Sequence, residues 1–201
     1  MIKKPQTIIL FGRSGCGKGT QLKLIKEYFD KEDQERKQFT FTTGDSFREF
    51  FNKNTHASNL SKEITAKGLL QPLFLTISLW GNSFINNLEP NDHLFIDGSP
   101  RRKDESIALD SAIKFFNREN VILLDFIVSR ETSKARMLGR GRYDDTEENT
   151  ETRLNWYDKD VMPALEYLKE QPGYIYIGID GEGAIEKIYE EIIIKIKPYL
   201  N

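Results

Sequence analysis

Short apolar runs alternate with segments of helical periodicity along the chain. Each run has four to seven residues, and most lack the apolar-polar alternation of a strand with one face in water. Such runs are typical of strands in a parallel sheet that helices cover on both faces. The runs are residues 7–11, 39–43, 94–97, 122–128 and 174–179. The sequence therefore predicts a three-layer α/β fold with a parallel five-stranded sheet.

The segments between the runs carry apolar residues at helical spacing. In the last segment, Ile185, Ile188, Ile192 and Ile196 mark one face of a terminal helix. Two stretches depart from the alternation: residues 43–72 are polar and helical without a strand, and residues 139–146 form a loop between two helices. Loops at such positions are natural lids. We expect a small helical insert at 43–72 and a short lid at 139–146, on a core of residues 1–42, 73–138 and 147–201.

The charge and the cysteine content exclude several classes of protein. The chain has 29 Lys and Arg against 31 Asp and Glu, so it lacks the basic excess of a constitutive nucleic-acid binder. Its apolar runs are all shorter than the roughly 18 residues of a membrane span. The single cysteine excludes a disulfide framework and suits a reducing compartment. We expect a cytoplasmic protein that has neither nucleic acid nor a membrane as a partner.

A glycine-rich loop, the phosphate loop (residues 12–20), follows the first predicted strand and precedes an amphipathic helix. It reads Gly12-Arg13-Ser14-Gly15-Cys16-Gly17-Lys18-Gly19-Thr20, which fits the pattern of a glycine, four residues and Gly-Lys. The glycines let successive N–H groups point at phosphate oxygens, the helix N-terminus adds a positive end, and the lysine adds a full charge. We therefore predict a P-loop NTPase-type fold that binds a nucleoside triphosphate.

Three motifs together resemble those of adenylate kinases and their nucleoside monophosphate kinase relatives. The phosphate loop continues as Gly-x-Gly-Lys-Gly-Thr-Gln, with its hydroxyl at Thr20 rather than directly after Lys18. The segment Thr43-Gly44-Asp45-Ser46-Phe47-Arg48 resembles the family's Thr-Gly-Asp-x-x-Arg. The segment Leu94-Phe95-Ile96-Asp97-Gly98-Ser99-Pro100-Arg101 resembles the family's Asp-Gly-Phe-Pro-Arg motif. The resemblance runs nearly from end to end of the chain.

The resemblance implies one site for ATP and one for a nucleoside monophosphate. For ATP it implies Gly15, Cys16, Gly17, Lys18, Gly19, Thr20, Arg136, Arg140 and Gly183, with Arg136 stacked on the adenine. For the monophosphate it implies Thr43, Arg48, Leu69, Leu70, Gln71, Gly98, Arg101, Glu105, Arg142 and Arg153, with Gln71 acting through its backbone. The lid resembles that of the short-lid members, which need no partner chain to complete the site, so we expect a monomer.

The implied catalytic groups are all cations: Lys18, Arg101, Arg140, Arg142 and Arg153. The accepting phosphate is already anionic at neutral pH, so the reaction needs neutralisation of charge rather than a general base. Asp97 ends a predicted strand beside the phosphate loop and can hold Mg²⁺ through water, and Thr20 is a second candidate ligand. A zinc-holding lid is excluded because Cys16 is the only cysteine. Asp144 and Asp145 either orient the lid arginines or form an exposed acidic loop.

Three positions depart from the family's pattern: Ser14 replaces a proline, Ser99 a phenylalanine, and Glu105 the glutamine that reads adenine. An ionised glutamate only accepts hydrogen bonds, so it would pair with the adjacent donors at guanine N1 and N2 and oppose adenine N1. Alternatively, Glu105 lies in the first turn of a helix predicted at 104–118, where an acid meets the helix dipole favourably. Both interpretations stay open.

The motifs as a set indicate an adenylate kinase that reversibly transfers the γ-phosphoryl group of ATP to AMP with Mg²⁺, giving two ADP. One alternative is a GMP or UMP/CMP kinase on the same scaffold, for which Glu105 is the discriminating residue. Another is a nucleotide sensor without catalytic activity. Such a sensor would be expected to have lost the lysine or the arginines, and this chain keeps them.

Overall fold

The computed structural model of the protein describes residues 2–142 and 144–200. Residues 1, 143 and 201, which belong to the expected core and lid, lie outside the described part. The strands are β1 (Thr7–Gly12), β2 (Gln38–Thr42), β3 (His93–Asp97), β4 (Val121–Ile127) and β5 (Tyr174–Asp180). They form one parallel sheet in the order β2-β3-β1-β4-β5. Every predicted strand is confirmed, and each of its ends lies within one residue of the predicted end.

The helices connect these strands and cover the sheet. They are α1 (Lys18–Glu32), α2 (Thr43–Phe51), α3 (His56–Ala66), α4 (Leu73–Asn87), α5 (Lys103–Phe115), α6 (Arg130–Arg140), α7 (Glu147–Trp156), α8 (Met162–Lys169) and α9 (Ile185–Ile196). A π-helical turn, Tyr157–Val161, joins α7 to α8, and a 3-10 turn, Lys197–Tyr199, follows α9.

Two predicted boundaries are corrected by the backbone. Thr43 was expected to end the second strand, but it begins α2, because the pairing of β2 with β3 ends at Thr42. The helix predicted at 104–118 is α5, and it ends at Phe115. It stops there because Asn117 adopts a left-handed backbone with φ of 51°, which lets the N–H of Arg118 bond to the carbonyl of Ile113.

Side chains alternate between the two faces of the sheet and produce two apolar layers. On one face, Ile8 and Leu10 pack with α1 and α9, the latter through Ile188, Ile192 and Ile196. On the other face, residues such as Ile9 and Phe11 pack with α4, α5 and α8. The predicted three-layer architecture is therefore confirmed. Ile185, expected on the buried face of α9, is 49% exposed at the start of that helix.

The chain segments that follow the strands meet at one edge of the sheet, because all strands run parallel. The phosphate loop leaves β1 at this edge, α2 follows β2 there, and Asp97 ends β3 there. Residues 43–72 contain α2 and α3. The lid expected as a loop at 139–146 begins in the last two residues of α6, Gly139 and Arg140, because that helix extends to Arg140, and it ends directly before α7. In the part of the chain that the structure describes, no helix has the length and apolarity needed to cross a membrane.

Candidate active site

The phosphate loop curls around its own lysine. Lys18 Nζ donates to the carbonyl oxygens of Gly12 at 2.7 Å and Arg13 at 3.0 Å, and it lies 3.4 Å from Cys16 Sγ. Gly15 has φ of +84°, and a Cβ there would lie 2.5 Å from the carbonyl oxygen of Ser133. Only glycine fits this tight turn. Among the described residues no side chain caps the N-terminus of α1, so its first N–H groups can bind an anion.

A cleft of about 1160 Å³ opens above the phosphate loop. It is larger than the roughly 300–1,000 Å³ of a pocket for one small ligand, so it has room for two nucleotides. Most of the predicted site residues line it: Gly15, Cys16, Gly17, Lys18, Gly19, Thr20, Thr43, Arg48, Leu69, Gln71, Asp97, Gly98, Arg101, Arg136, Arg140, Arg142, Arg153 and Gly183. The structure therefore brings together residues from the phosphate loop, the 43–72 segment, the end of β3, the lid and α7.

Leu70 and Glu105, by contrast, are not among the residues that line the cleft. Leu70 is half-buried between two residues, Leu69 and Gln71, that do line it. Glu105 lies in the first turn of α5 and is only 1% exposed. Its Oε2 accepts a hydrogen bond from the backbone N–H of Arg101 at 2.8 Å. This position agrees with the helix-end interpretation of Glu105 and differs from the predicted contact with the acceptor base.

Burial raises the pKa of the Glu105 carboxyl, because it removes water from the charged form. The hydrogen bond from the Arg101 N–H and the nearby hydroxyl of Ser99 oppose this change but do not cancel it. The cost of burying this carboxylate is therefore only partly offset by its neighbours.

The side chain of Gln71 is held by α3. Its amide nitrogen donates to the carbonyl oxygen of Ser61 at 2.9 Å and to the hydroxyl of Thr65 at 2.8 Å, and its amide oxygen accepts from the Ser61 hydroxyl at 2.8 Å. Its backbone carbonyl accepts a hydrogen bond from Arg102 Nη1 at 2.6 Å. The side-chain amide of Gln71 is therefore already engaged, and contact of its backbone with an acceptor stays a prediction.

The turn after β3 holds Arg101 in the cleft. Arg101 Nε donates to the carbonyl oxygen of Gly98 at 2.7 Å. Gly98 has φ of +84°, and a Cβ there would lie 3.0 Å from Arg101 Nη2. The hydroxyl of Ser99 lies 2.8 Å from that of Thr43, which links this turn to the start of α2. Across the cleft, Arg48 pairs with Asp45 one turn earlier on α2.

Two acidic residues of the lid bind one arginine at the end of α6 and one on α7. Arg140 binds both carboxylate oxygens of Asp145, at 2.6 and 2.8 Å. Arg153 binds Asp145 at 3.0 Å and also pairs with Asp144. The side chain of Asp145 has no exposed surface, which favours the orienting role over an exposed acidic loop. Burial alone would raise the pKa of Asp145, but its hydrogen bond to Arg140 and the charges of Arg140 and Arg153 lower it overall.

Positive charge converges on the middle of the cleft. Partial burial lowers the pKa of Arg142, and the nearby charges of Arg140 and Arg48 lower it further, although Asp145 and Asp144 oppose this change. Burial also lowers the pKa of Arg101, although Glu105 and Asp97 oppose it. On the other side of the phosphate loop, Arg136 Nη1 donates to the carbonyl oxygen of Gly181 at 2.9 Å, beside the turn that contains Gly183. Several cations concentrated in one cleft are suited to bind polyphosphates.

The residues at the expected magnesium position are few. Asp97 supplies one carboxylate at the end of β3, and Thr20 supplies an exposed hydroxyl in the first turn of α1. Residues 2–142 and 144–200 contain no group of three His, Cys, Asp or Glu side chains that could enclose a metal. This donor set fits Mg²⁺, which binds through one or two carboxylates while phosphates and water complete its coordination.

Three residues at or beside the site were missed by the sequence analysis. Trp156 lines the cleft, Asn149 bonds to the end of α3, and Arg102 bonds to the carbonyl of Gln71. The spacing of Trp156, three residues after Arg153 on α7, places both on one helix face and could have identified it.

Comparisons with known proteins agree with this geometry. The sequence profile of the adenylate kinase family matches residues 10–172. The adenylate kinase of Corynebacterium aurimucosum is 31% identical over 185 residues, which cover 92% of this chain and 96% of that protein. The adenylate kinase of Oenococcus oeni is 30% identical over 189 residues, covering 93% and 95%. The uridylate kinase of Schizosaccharomyces pombe is 32% identical over 202 residues, covering 96% and 98%.

Proposed function

The chain belongs to the adenylate kinase family and is a nucleoside monophosphate kinase, and on this basis we propose that it reversibly transfers the γ-phosphoryl group of ATP to AMP, giving two ADP. The observation that carries the proposal is the cleft itself. It is lined by a phosphate loop with Lys18 and by Arg101, Arg140, Arg142 and Arg153.

The donor occupies the part of the cleft above the phosphate loop. The loop N–H groups, the uncapped N-terminus of α1 and Lys18 bind the outer phosphates of ATP. Arg136, which is held by the carbonyl of Gly181, offers the flat face of its guanidinium to the adenine. The backbone around Gly183 borders the same base.

The acceptor occupies the part between α2 and the turn after β3. Thr43 and Leu69 line this part together with the backbone of Gln71, and Arg48 and Arg101 bind the phosphate. The bidentate guanidinium of arginine matches two phosphate oxygens at once. In this proposal the acceptor phosphate lies opposite the terminal phosphate of the donor.

Transfer then proceeds by in-line displacement. An oxygen of the acceptor phosphate forms a bond to the γ-phosphorus while the bond to the bridging oxygen breaks, and the electron pair stays on the departing ADP. No proton has to move, since the attacking oxygen is already an anion. Lys18 and the arginines stabilise the charge that spreads over the transferred group. Asp97, through water, and Thr20 would hold Mg²⁺, which would supply further positive charge to the donor phosphates.

Water must be kept from the donor, because it competes as an acceptor. We propose that residues 43–72 and the lid at 139–146 act as two closing segments on a core of residues 1–42, 73–138 and 147–201. The hydrogen bond from Asn149 Nδ2 to the carbonyl oxygen of Ala66, at 3.1 Å, supports this, because it joins α7, just after the lid, to the end of α3. We also propose that the protein acts as a monomer. A cytoplasmic location suits the need for ATP and the free thiol of Cys16.

A UMP/CMP kinase is the second candidate. The identity of 32% with a uridylate kinase over nearly the whole chain supports it. A coupled assay with Mg·ATP and AMP, GMP, CMP or UMP separately tests both candidates. We expect AMP to give the highest kcat/KM. If UMP and CMP are preferred, they replace AMP as the proposed acceptors. If no phosphoryl transfer occurs to any of the four nucleotides, the proposed activity is wrong.

A further inference from the structure

Trp156, the last residue of α7, contacts two parts of the acceptor region. The centre of its ring lies 5.2 Å from the guanidinium carbon of Arg101. Its indole N–H donates to the carbonyl oxygen of Gly68 at 3.1 Å. The half-buried ring lines the main cleft and also a side cavity of about 30 Å³ that adjoins Lys18 and Arg101. Trp156 therefore lies where the two substrates' phosphates are expected to meet.

The contact with the ring leaves Arg101 oriented for an anion. A guanidinium over the face of tryptophan is held by the ring quadrupole, and tryptophan is the strongest aromatic partner for a cation. The Nε of Arg101 is bound by the carbonyl of Gly98. Within the described part of the chain, no hydrogen bond uses its two Nη atoms. The hydrogen bond to Gly98 and the contact with the Trp156 ring therefore hold Arg101 while its two Nη atoms stay available to a phosphate.

The bond to Gly68 links this arginine to the 43–72 segment. Gly68 follows the end of α3, and Asn149, on the same side of α7, binds the carbonyl of Ala66 in the same stretch. Helix α7 therefore holds the end of α3 at two carbonyl groups. One side chain, Trp156, contacts both this stretch and Arg101.

We infer that Trp156 is a positioning residue for the acceptor phosphate. It holds the Arg101 guanidinium towards the cleft and couples that placement to Gly68, which lines the cleft. The inference rests on the proposed function, because it assigns the acceptor phosphate to Arg101. It predicts that a change at Trp156 weakens use of the acceptor and leaves use of ATP nearly intact.

Steady-state kinetics with Trp156→Leu and Trp156→Phe test this prediction, with Trp80→Phe as the control. Trp80 is 4% exposed on α4, where it packs against Phe84 in the core. Trp156→Leu removes both contacts and should raise the KM for the acceptor about tenfold, with the KM for ATP changed less than about twofold. Trp156→Phe keeps a ring and should raise the acceptor KM about threefold. Equal increases in both KM values, or none, would overturn the inference.

Fluorescence provides a readout that does not need turnover or a drastic substitution. In Trp80→Phe the remaining tryptophan is Trp156. Titration with AMP, and then with GMP, CMP and UMP, should change its emission with a midpoint equal to the Kd from calorimetry. The matched Trp156→Phe variant, which keeps Trp80, should show no change. If calorimetry shows that a monophosphate binds while the emission of Trp156 stays unchanged, the inference is wrong.

These experiments distinguish a failure of the proposed function from a failure of the inference about Trp156. If the protein binds a monophosphate and the Trp156 emission responds, but no phosphoryl transfer occurs, the proposed function fails and the position of Trp156 beside the bound phosphate stands. If transfer is normal and the substitutions at Trp156 leave the acceptor KM unchanged, the inference about Trp156 fails alone.

Discussion

Replacing Glu105 with glutamine should stabilise the protein at neutral pH. The wild-type side chain buries a carboxyl group whose pKa is raised by burial, and glutamine keeps an oxygen that can accept the bond from the Arg101 N–H. A buried polar group that is only partly satisfied costs about 1–3 kcal/mol, and the charge of Arg101 offsets some of this. We therefore expect Glu105→Gln to raise the free energy of unfolding by about 1 kcal/mol, or the Tm by about 2–4 °C.

The raised pKa of Glu105 also predicts how the stability difference between the variant and the wild type changes with pH. Because the carboxyl of Glu105 has a higher pKa in the folded state, the folded protein binds more protons than the unfolded chain once the pH exceeds the ordinary value of 4.5. The contribution of Glu105 to the stability of the wild type therefore falls as the pH rises from there, and Glu105→Gln lacks this fall. The advantage of the variant should be constant and small below pH 4.5 and should grow above it.

Urea denaturation between pH 4 and pH 8 measures this effect, with Asp104→Asn as the matched control. Asp104 is exposed in the same first turn of α5, so its replacement should cost about 0.3–1 kcal/mol through the helix dipole. Acceptor preference should change less than about twofold in Glu105→Gln, because Glu105 does not line the cleft. A tenfold change in the ratio of kcat/KM for AMP and GMP, or a loss of stability at pH 7, would refute the reasoning.

Three further substitutions test the site. Lys18→Ala should lower kcat by about 10²–10³ while circular dichroism stays that of the wild type, and wild-type turnover would contradict the role of the phosphate loop. Asp145→Asn should lower the free energy of unfolding by about 2 kcal/mol at pH 7, because it breaks the buried pairs with Arg140 and Arg153. Since the pKa of Asp145 is lowered in the folded state, its contribution should be lost as the pH falls below 3.8, and a pH-independent difference would argue against it. Gly15→Ala should lower the free energy of unfolding by at least about 2 kcal/mol in thermal denaturation, because a Cβ would lie 2.5 Å from the Ser133 carbonyl oxygen. As a control, Gly19→Ala places its Cβ in open space and should change the free energy of unfolding by less than about 0.5 kcal/mol.

The strands and the phosphate loop could be predicted because their signals are local. A run of apolar residues between helical segments is typical of a buried strand wherever the chain places it. The glycines and the lysine of the phosphate loop are adjacent in sequence, so their joint geometry needs no distant partner. The family's motifs gave the order and the gaps of the cationic residues, and most of these residues line one cleft.

The tertiary structure alone decided which polar groups face the cleft. The sequence could not choose between two roles for Glu105, because the choice depends on the backbone N–H of Arg101 and on how deeply α5 packs. The contact between Trp156 and Arg101 joins residues 55 positions apart, and no local pattern indicates such a pair. Periodicity and motifs determine the elements and the chemistry available at their ends. Hydrogen bonds between distant segments determine which of those groups remain free to meet a substrate.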